Sequence, residues 1–290
     1  MSEEHPLIDI TFLRQLDRFN VLLKKHVNAL FVGHRSAKHT KGRGTTFADY
    51  AQYFPGDDLR AIDWKVYAKT EEYFIKQYEE ERNLTIHCIL DASASMDYGK
   101  PRKKFHYGGM IALGLAYMAL RNNERFEIST FSDQLDIFKP ARGVNSLLAT
   151  VEHLSDKKLG GKSNFLESMQ QYKKAIQSRS LVVIISDFLF DVNQLNEALF
   201  LFRRSEIIVI QVLDGTEKKI DYAGDLILED SETKSKLRTF ITNRLLRTYE
   251  DKLQLHIDSL KKVCENHGAH FISVSNNAPI FETFYDVLRL

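Results

Sequence analysis

The sequence has little cysteine, almost no surplus charge and no long apolar run. Among 290 residues there are two cysteines, Cys88 in an apolar segment and Cys264 in a helical pattern. Two such residues make neither a disulfide framework nor a zinc set, and they read as small core side chains in a reducing compartment. Forty Lys and Arg against 39 Asp and Glu leave a formal net charge of +1, which removes any bulk attraction to nucleic acid. The longest apolar stretch, residues 108–120, is too short and too rich in glycine to span a bilayer. The opening MSEEHPLIDI is acidic and lacks the basic and apolar regions of a secretory signal, so a cytoplasmic address is expected. The ten histidines show no HExxH spacing, there is no CxxC pair, and no serine sits in a Gly-x-Ser-x-Gly elbow. Repeats and low-complexity segments are absent as well.

What is there suits one large α/β domain with an appendage: 43% hydrophobic and 27% charged residues. From residue 84 onward, strand-length apolar runs at 84–90, 126–131, 181–186, 207–213 and 269–274 alternate with helical patterns at 105–121, 144–154, 164–177, 193–204, 243–266 and 280–288. Continuous runs such as LVVII and IIVIQVL belong in strands buried on both faces. Residues 135–138 read as a short strand folded back on 126–131, an antiparallel edge. The fold expected is therefore α/β, a doubly wound and mostly parallel sheet with one antiparallel edge strand. An insertion at 217–240 reads as a β-hairpin outside that sheet.

The first 82 residues read as the appendage, and residues 83–290 as the main domain. A leading helix is expected over 7–25 and an exposed basic loop over 34–46. Pro55-Gly56-Asp57-Asp58 is a turn signal, followed by Arg60, Asp63 and Trp64. That cluster reads as a clasp pinning the segment to the main domain, with a strand at 71–78 after it. His87 reads as a core histidine, the basic stretch 234–247 as a solvated helix end, and the small residues of 105–121 as a close-packing face.

The chemistry gathers at TIHCILDASASM, residues 85–96. An apolar strand ends on Asp91, and Ser93 and Ser95 follow at alternate positions, at the strand end where open α/β sheets bind ligands. One carboxylate and two hydroxyls are hard oxygen donors suited to a divalent cation such as Mg2+; the competing reading is a helix cap. Gly160-Gly161-Lys162-Ser163 offers a further hydroxyl, with a turn and N-cap as its alternative. A second buried strand ends in Ser186-Asp187.

In these residues the chain resembles the von Willebrand factor A domain with its metal-ion-dependent adhesion site. Phe47, Tyr53, Gly56-Asp57-Asp58, Arg60, Ile62-Asp63-Trp64 and the acidic 79–81 narrow the resemblance to a bacterial family of unknown function that carries such a domain. Its members are typically encoded beside MoxR-type AAA+ ATPases. The resemblance implies metal ligation by Asp91, Ser93, Ser95, Ser163 and Asp187, with Mg2+ as the cation and Mn2+ or Ca2+ as alternatives. It implies a non-catalytic module that binds a partner's Asp or Glu through the metal, as an adaptor for a MoxR-type ATPase or its client, without nucleic acid or membrane insertion. Two departures stand out. Ser163 replaces the usual Thr beside Lys162, and the transmembrane segments that many relatives carry before the Gly-Asp-Asp block are missing. The rival is a metal-dependent phosphohydrolase with Asp91 as nucleophile, but its acid/base position is Ser93, which cannot transfer protons near neutral pH. A scaffold with an unoccupied metal site is the third reading.

Overall fold

The computed structural model describes residues 10–22, 38–41, 46–80, 85–138, 144–178, 180–219, 224–232 and 234–289. They fall into two compact units, His34–Leu84 and the remainder.

Helix α1 (Ile10–Leu22) belongs to the larger unit, so the boundary expected at residue 82 does not hold for it. The reason is an apolar stripe: Phe12, Leu16 and Phe19 share one helical face, and the Phe12 and Phe19 rings pack on Phe281 at 5.9 and 5.3 Å between centroids. Residues 7–9 and 23–25 of the predicted helix lie outside the described residues.

The small unit is a three-stranded antiparallel sheet, β1 (Lys38–Lys41), β2 (Thr46–Gln52) and β3 (Phe74–Glu80), in the order β1-β3-β2, with helix α2 (Trp64–Thr70). The loop expected over 34–46 thus contains an edge strand. Its polar KHTK sequence hides it, because the strand is defined by its antiparallel ladder to β3, with Lys38 opposite Glu80 and Lys41 opposite Gln77 in register. Residues 34–37 and 42–45 lie outside the described residues. Asp63 ties this unit together from within. It caps α2 through Lys65 N at 3.0 Å, and its Oδ2 accepts from Tyr50 Oη at 3.1 Å and Lys76 Nζ at 3.0 Å. Lys76 holds the Asp63 carboxyl below its usual range. Trp64 is 59% exposed and meets Tyr67 edge-on, while Tyr67 stacks on Tyr73 at 4.6 Å.

In the large unit β4 (Thr85–Asp91) leads through helix α3 (Lys104–Arg121) to β5 (Arg125–Phe131) and the short β6 (Leu135–Phe138). Helices α4 (Val144–Ser155) and α5 (Phe165–Lys173) precede β7 (Leu181–Ser186), which α6 (Val192–Leu201) connects to β8 (Glu206–Leu213). The short α7 (Gly215–Lys218) and the hairpin β9 (Gly224–Glu229) and β10 (Lys236–Ile241) follow. Helix α8 (Asn243–Asn266), β11 (His270–Ser275) and α9 (Ile280–Leu288) complete the unit. The sheet runs β11-β8-β7-β4-β5-β6, parallel except for β6, which pairs antiparallel with β5. This is the doubly wound, mostly parallel sheet with one antiparallel edge strand expected from the sequence, and the hairpin forms a separate two-stranded sheet as expected.

Both faces of the sheet are buried. Ile89, Val182, Ile184 and Val209 pack with Phe165, Met169, Tyr172 and Leu199. Among the residues of α3 the small ones are needed: a Cβ on Gly114 would overlap the Phe284 ring of α9. Gly114→Ala is therefore expected to destabilise the fold by about 1–3 kcal/mol, measured as a lower urea midpoint at unchanged slope. Cys88 and Cys264 are buried free thiols, and His87 is buried with Nδ1 2.9 Å from Tyr172 Oη. No helix among the described residues is long and apolar enough to cross a membrane.

Candidate metal centre

Strand order reverses between β4 and β7, because the chain winds from β4 to β5 on one side and from β7 to β8 on the other. The crevice at the carboxyl ends of such a pair is the ligand position of doubly wound sheets. Asp91 ends β4 there, fully buried, and Asp187 follows the last residue of β7.

Three loops converge on Asp91. Its Oδ1 accepts from Ser93 N at 2.8 Å, closing the first loop on itself. Its Oδ2 accepts from Ser163 Oγ at 3.2 Å and from Ser186 Oγ at 2.7 Å. Ser93 and Ser95 hydroxyls lie 3.2 Å apart. Ser93 occupies the N-cap position of the 3-10 turn Ala94–Asp97 but makes no side-chain cap bond. Ser163 likewise does not cap α5, whose cap position is Asn164. Both hydroxyls thus face the crevice chemistry rather than a helix end.

The second loop is held against the first by main-chain bonds, Gly160 N to Ala92 O at 3.2 Å and Ala94 N to Gly161 O at 3.1 Å. Gly161 has φ +80°, and a Cβ there would overlap the Asp133 carboxylate, which accepts from Lys162 N at 2.7 Å. Only glycine meets both conditions. In the third loop Phe188 adopts φ 52° while its ring is buried beside Phe165 and Phe190. Left-handed backbone at a bulky residue is strained, and here Phe188 N to Ser186 Oγ at 3.1 Å and Gln211 Nε2 to Asp187 O at 2.9 Å hold it.

The electrostatics are dominated by a residue that the sequence pattern does not mark. Lys104, at the start of α3, is fully buried, with Nζ 2.9 Å from Asp187 Oδ2 and 2.6 Å from Glu217 Oε1. Burial works to lower its pKa, but the two carboxylates outweigh this and hold the ammonium above its ordinary value. Burial raises the Glu217 carboxyl, with Lys104 opposing. Among the described residues Asp91 has no such partner. Its bonds come from neutral donors, and burial first, then the charge of Asp187, push its carboxyl up to about 6. Lys162, expected to weaken a cation site, has an exposed side chain; the ammonium bound to Asp187 is that of Lys104.

Among the described residues no three His, Cys, Asp or Glu side chains gather as a metal cluster, so a cation here depends on hydroxyls as well as carboxylates. The donors present fit a hard divalent ion. A buried carboxylate without a cationic partner, a second carboxylate within its field and three serine hydroxyls are oxygen ligands of the type Mg2+ takes alongside retained water. Of the five ligands expected from the sequence, the structure brings Asp91, Ser93, Ser95 and Ser163 together through hydrogen bonds, and the charge of Asp187 acts on Asp91 without a bond between them. The sequence reading missed Ser186, Lys104 and Glu232. The last reaches Ser163 N at 3.3 Å from the hairpin turn. Ser186 was signalled by its place at the end of an apolar strand; Lys104 and Glu232 carry no local signal.

The solved structures similar to this chain include the conserved hypothetical protein BatB from Bacteroides thetaiotaomicron, 11% identical with TM-score 0.42 over 71% of this chain and 98% of that one. An aerotolerance-related membrane protein from Bacteroides fragilis is 12% identical with TM-score 0.44, covering 71% and 99%. Among curated sequences the uncharacterized protein Rv1480 of Mycobacterium tuberculosis is 26% identical over 197 residues, 66% of this chain. The chain spans 62% of the length of that relative. Residues 49–256 match the family described as "Protein of unknown function DUF58", a span holding the Gly-Asp-Asp turn, all five predicted ligands and the hairpin. The chain belongs to the DUF58 family.

Proposed function

We propose that the protein is a non-catalytic interaction module that binds a partner's Asp or Glu through a divalent cation, Mg2+ in the first place, held at Asp91, Ser93, Ser95 and Ser163 with Asp187 nearby. The observation that carries this reading is the fully buried Asp91 carboxylate, bonded by the hydroxyls of Ser163 and Ser186 and, among the described residues, lacking a cationic partner. A bound cation supplies positive charge at a recessed point, and one incoming carboxylate completes both its charge and its coordination. The residues around it set which carboxylate is accepted. Leu189, 46% exposed on the third loop with its N–H donating to Asp187 Oδ1 at 3.3 Å, supplies apolar contact area beside it.

The family resemblance points to a MoxR-type AAA+ ATPase, or its client, as the partner, and to an adaptor role in assembling or remodelling complexes in the cytoplasm. Phosphatase chemistry from Asp91 lacks its acid: Ser93 holds that position and its hydroxyl is 3.2 Å from another serine. Titration of a MoxR-type AAA+ ATPase against the protein tests the reading. Affinity is expected to fall at least about tenfold, or about 1.4 kcal/mol, with EDTA, with Asp91→Ala and with Ser163→Ala. Affinity unchanged by all three rules out metal-bridged binding.

A further inference from the structure

The hairpin β9–β10 adds no strand to the main sheet, yet its turn reaches the second loop. Glu232 Oε1 accepts from Ser163 N at 3.3 Å, and Ser163 is the residue whose hydroxyl bonds Asp91. The turn is built to present this side chain. Asp230 Oδ1 accepts from Glu232 N at 2.9 Å, and the Asp230 main chain bonds Ser235 O and Lys234 N at 2.9 and 3.0 Å. Burial raises the Glu232 carboxyl, and the Asp187 and Asp230 charges add to this, while the bond from Ser163 N and the Lys162 charge oppose it. Asp91 and Glu232 thus meet the same residue, Ser163, from distant segments, and the charge of Asp187 acts on both. The buried Lys104 ammonium beside Asp187 is already shared between that carboxylate and Glu217.

We infer that Glu232 is the chain's own carboxylate for the cation site, an internal ligand seated where a partner's Asp or Glu binds. This rests on the reading of a cation at Asp91. The chemistry of an internal and an external carboxylate is the same, so a partner engages the metal by displacing the hairpin turn. Tethering gives the internal carboxylate an effective concentration that reaches the millimolar range for short linkers, so it competes with a free ligand continuously. The same geometry makes docking of the hairpin depend on the ion. Without it Glu232 and Asp187 repel; with it both are attracted to one charge. A two-stranded hairpin is marginal by itself, so this balance decides whether its turn stays docked.

Mn2+ titrated into the full chain, read by calorimetry, and amide exchange over residues 224–241 test the inference in the wild type, Asp91→Ala and Glu232→Gln. Gln keeps an oxygen to accept from Ser163 N and removes only the charge. Asp91→Ala is expected to abolish Mn2+ binding, and Glu232→Gln to weaken it about tenfold, since ligand charge tunes divalent-ion affinity. Mn2+ is expected to slow hairpin exchange in the wild type and to leave it unchanged in Glu232→Gln. Asp91-dependent binding of equal affinity in wild type and Glu232→Gln, with hairpin exchange indifferent to Mn2+, overturns the internal-ligand role while leaving the cation site standing. Binding that Asp91→Ala does not alter overturns the cation reading itself, and this inference with it.

Discussion

Lys104→Met is expected to destabilise the protein in EDTA by about 3–5 kcal/mol at neutral pH, the usual loss when one partner of a buried ion pair is removed. The Lys104 side chain is completely buried between Asp187 and Glu217, whose side chains are 4% and 19% exposed. Methionine nearly fills the volume but leaves two carboxylates facing each other in a site that excludes water. The Glu217 carboxyl, which burial raises and Lys104 holds back, then rises further. The penalty is full above that raised value and disappears at a pH below the ordinary carboxylate range, so the variant recovers toward wild-type stability on acidification. Mg2+ is expected to act in the opposite direction. Asp187 loses its ammonium, its charge becomes available to a cation, and saturating Mg2+ stabilises Lys104→Met more than it stabilises the wild type. Urea unfolding in EDTA and in Mg2+, at acid and neutral pH, separates the two effects. A variant as stable as the wild type in EDTA at neutral pH shows that the ion triad contributes nothing.

Asp91→Asn is expected to raise stability in EDTA, the reverse of what loss of a buried hydrogen-bonded group ordinarily does. The folded carboxyl is pushed from the ordinary 3.8 up to about 6. A carboxyl with a raised folded pKa keeps its proton longer in the folded state, so its ionisation subtracts stability as pH rises from about 4 to above 6. At about 1.4 kcal/mol per pH unit the ceiling is about 3 kcal/mol at neutral pH. Asparagine has no charge to desolvate, and the serine hydroxyls around it rotate to suit an amide. The gain over wild type is therefore largest at pH 7 and above, and it vanishes near pH 4. Mg2+ reverses the ranking, because the wild type is stabilised by the ion and the variant is not. Thermal unfolding across pH in EDTA and in Mg2+ reads both. Asp91→Asn less stable than wild type at every pH in EDTA contradicts the claim that this carboxylate lacks a cationic partner.

The alternation of apolar runs and helical periods determined the sheet and its antiparallel edge, because strands buried on both faces must be continuously apolar. It also marked the hairpin outside the sheet. Local order was enough for Asp91, Ser93 and Ser95, which sit within one turn of chain at a strand end. The leading helix was legible, but its partner was not: Phe12 and Phe19 meet Phe281, whose distance in sequence no periodicity encodes. The edge strand at 38–41 was hidden because its stability comes from pairing with β3 rather than from its own residues.

The tertiary structure alone decided the electrostatics of the site. Lys104 opens a helix with a basic neighbour on its N-terminal side, a sequence that describes a solvated end, and is buried only because winding order brings it 83 positions away to Asp187 and 113 away to Glu217. Glu232 lies in a polar turn and gains meaning from a contact 69 positions back, at Ser163. The sequence by itself determined which oxygens stand at the strand ends, since hydrophobic pattern places strand ends. It could not determine which charges surround them, since that depends on how distant loops close over one crevice.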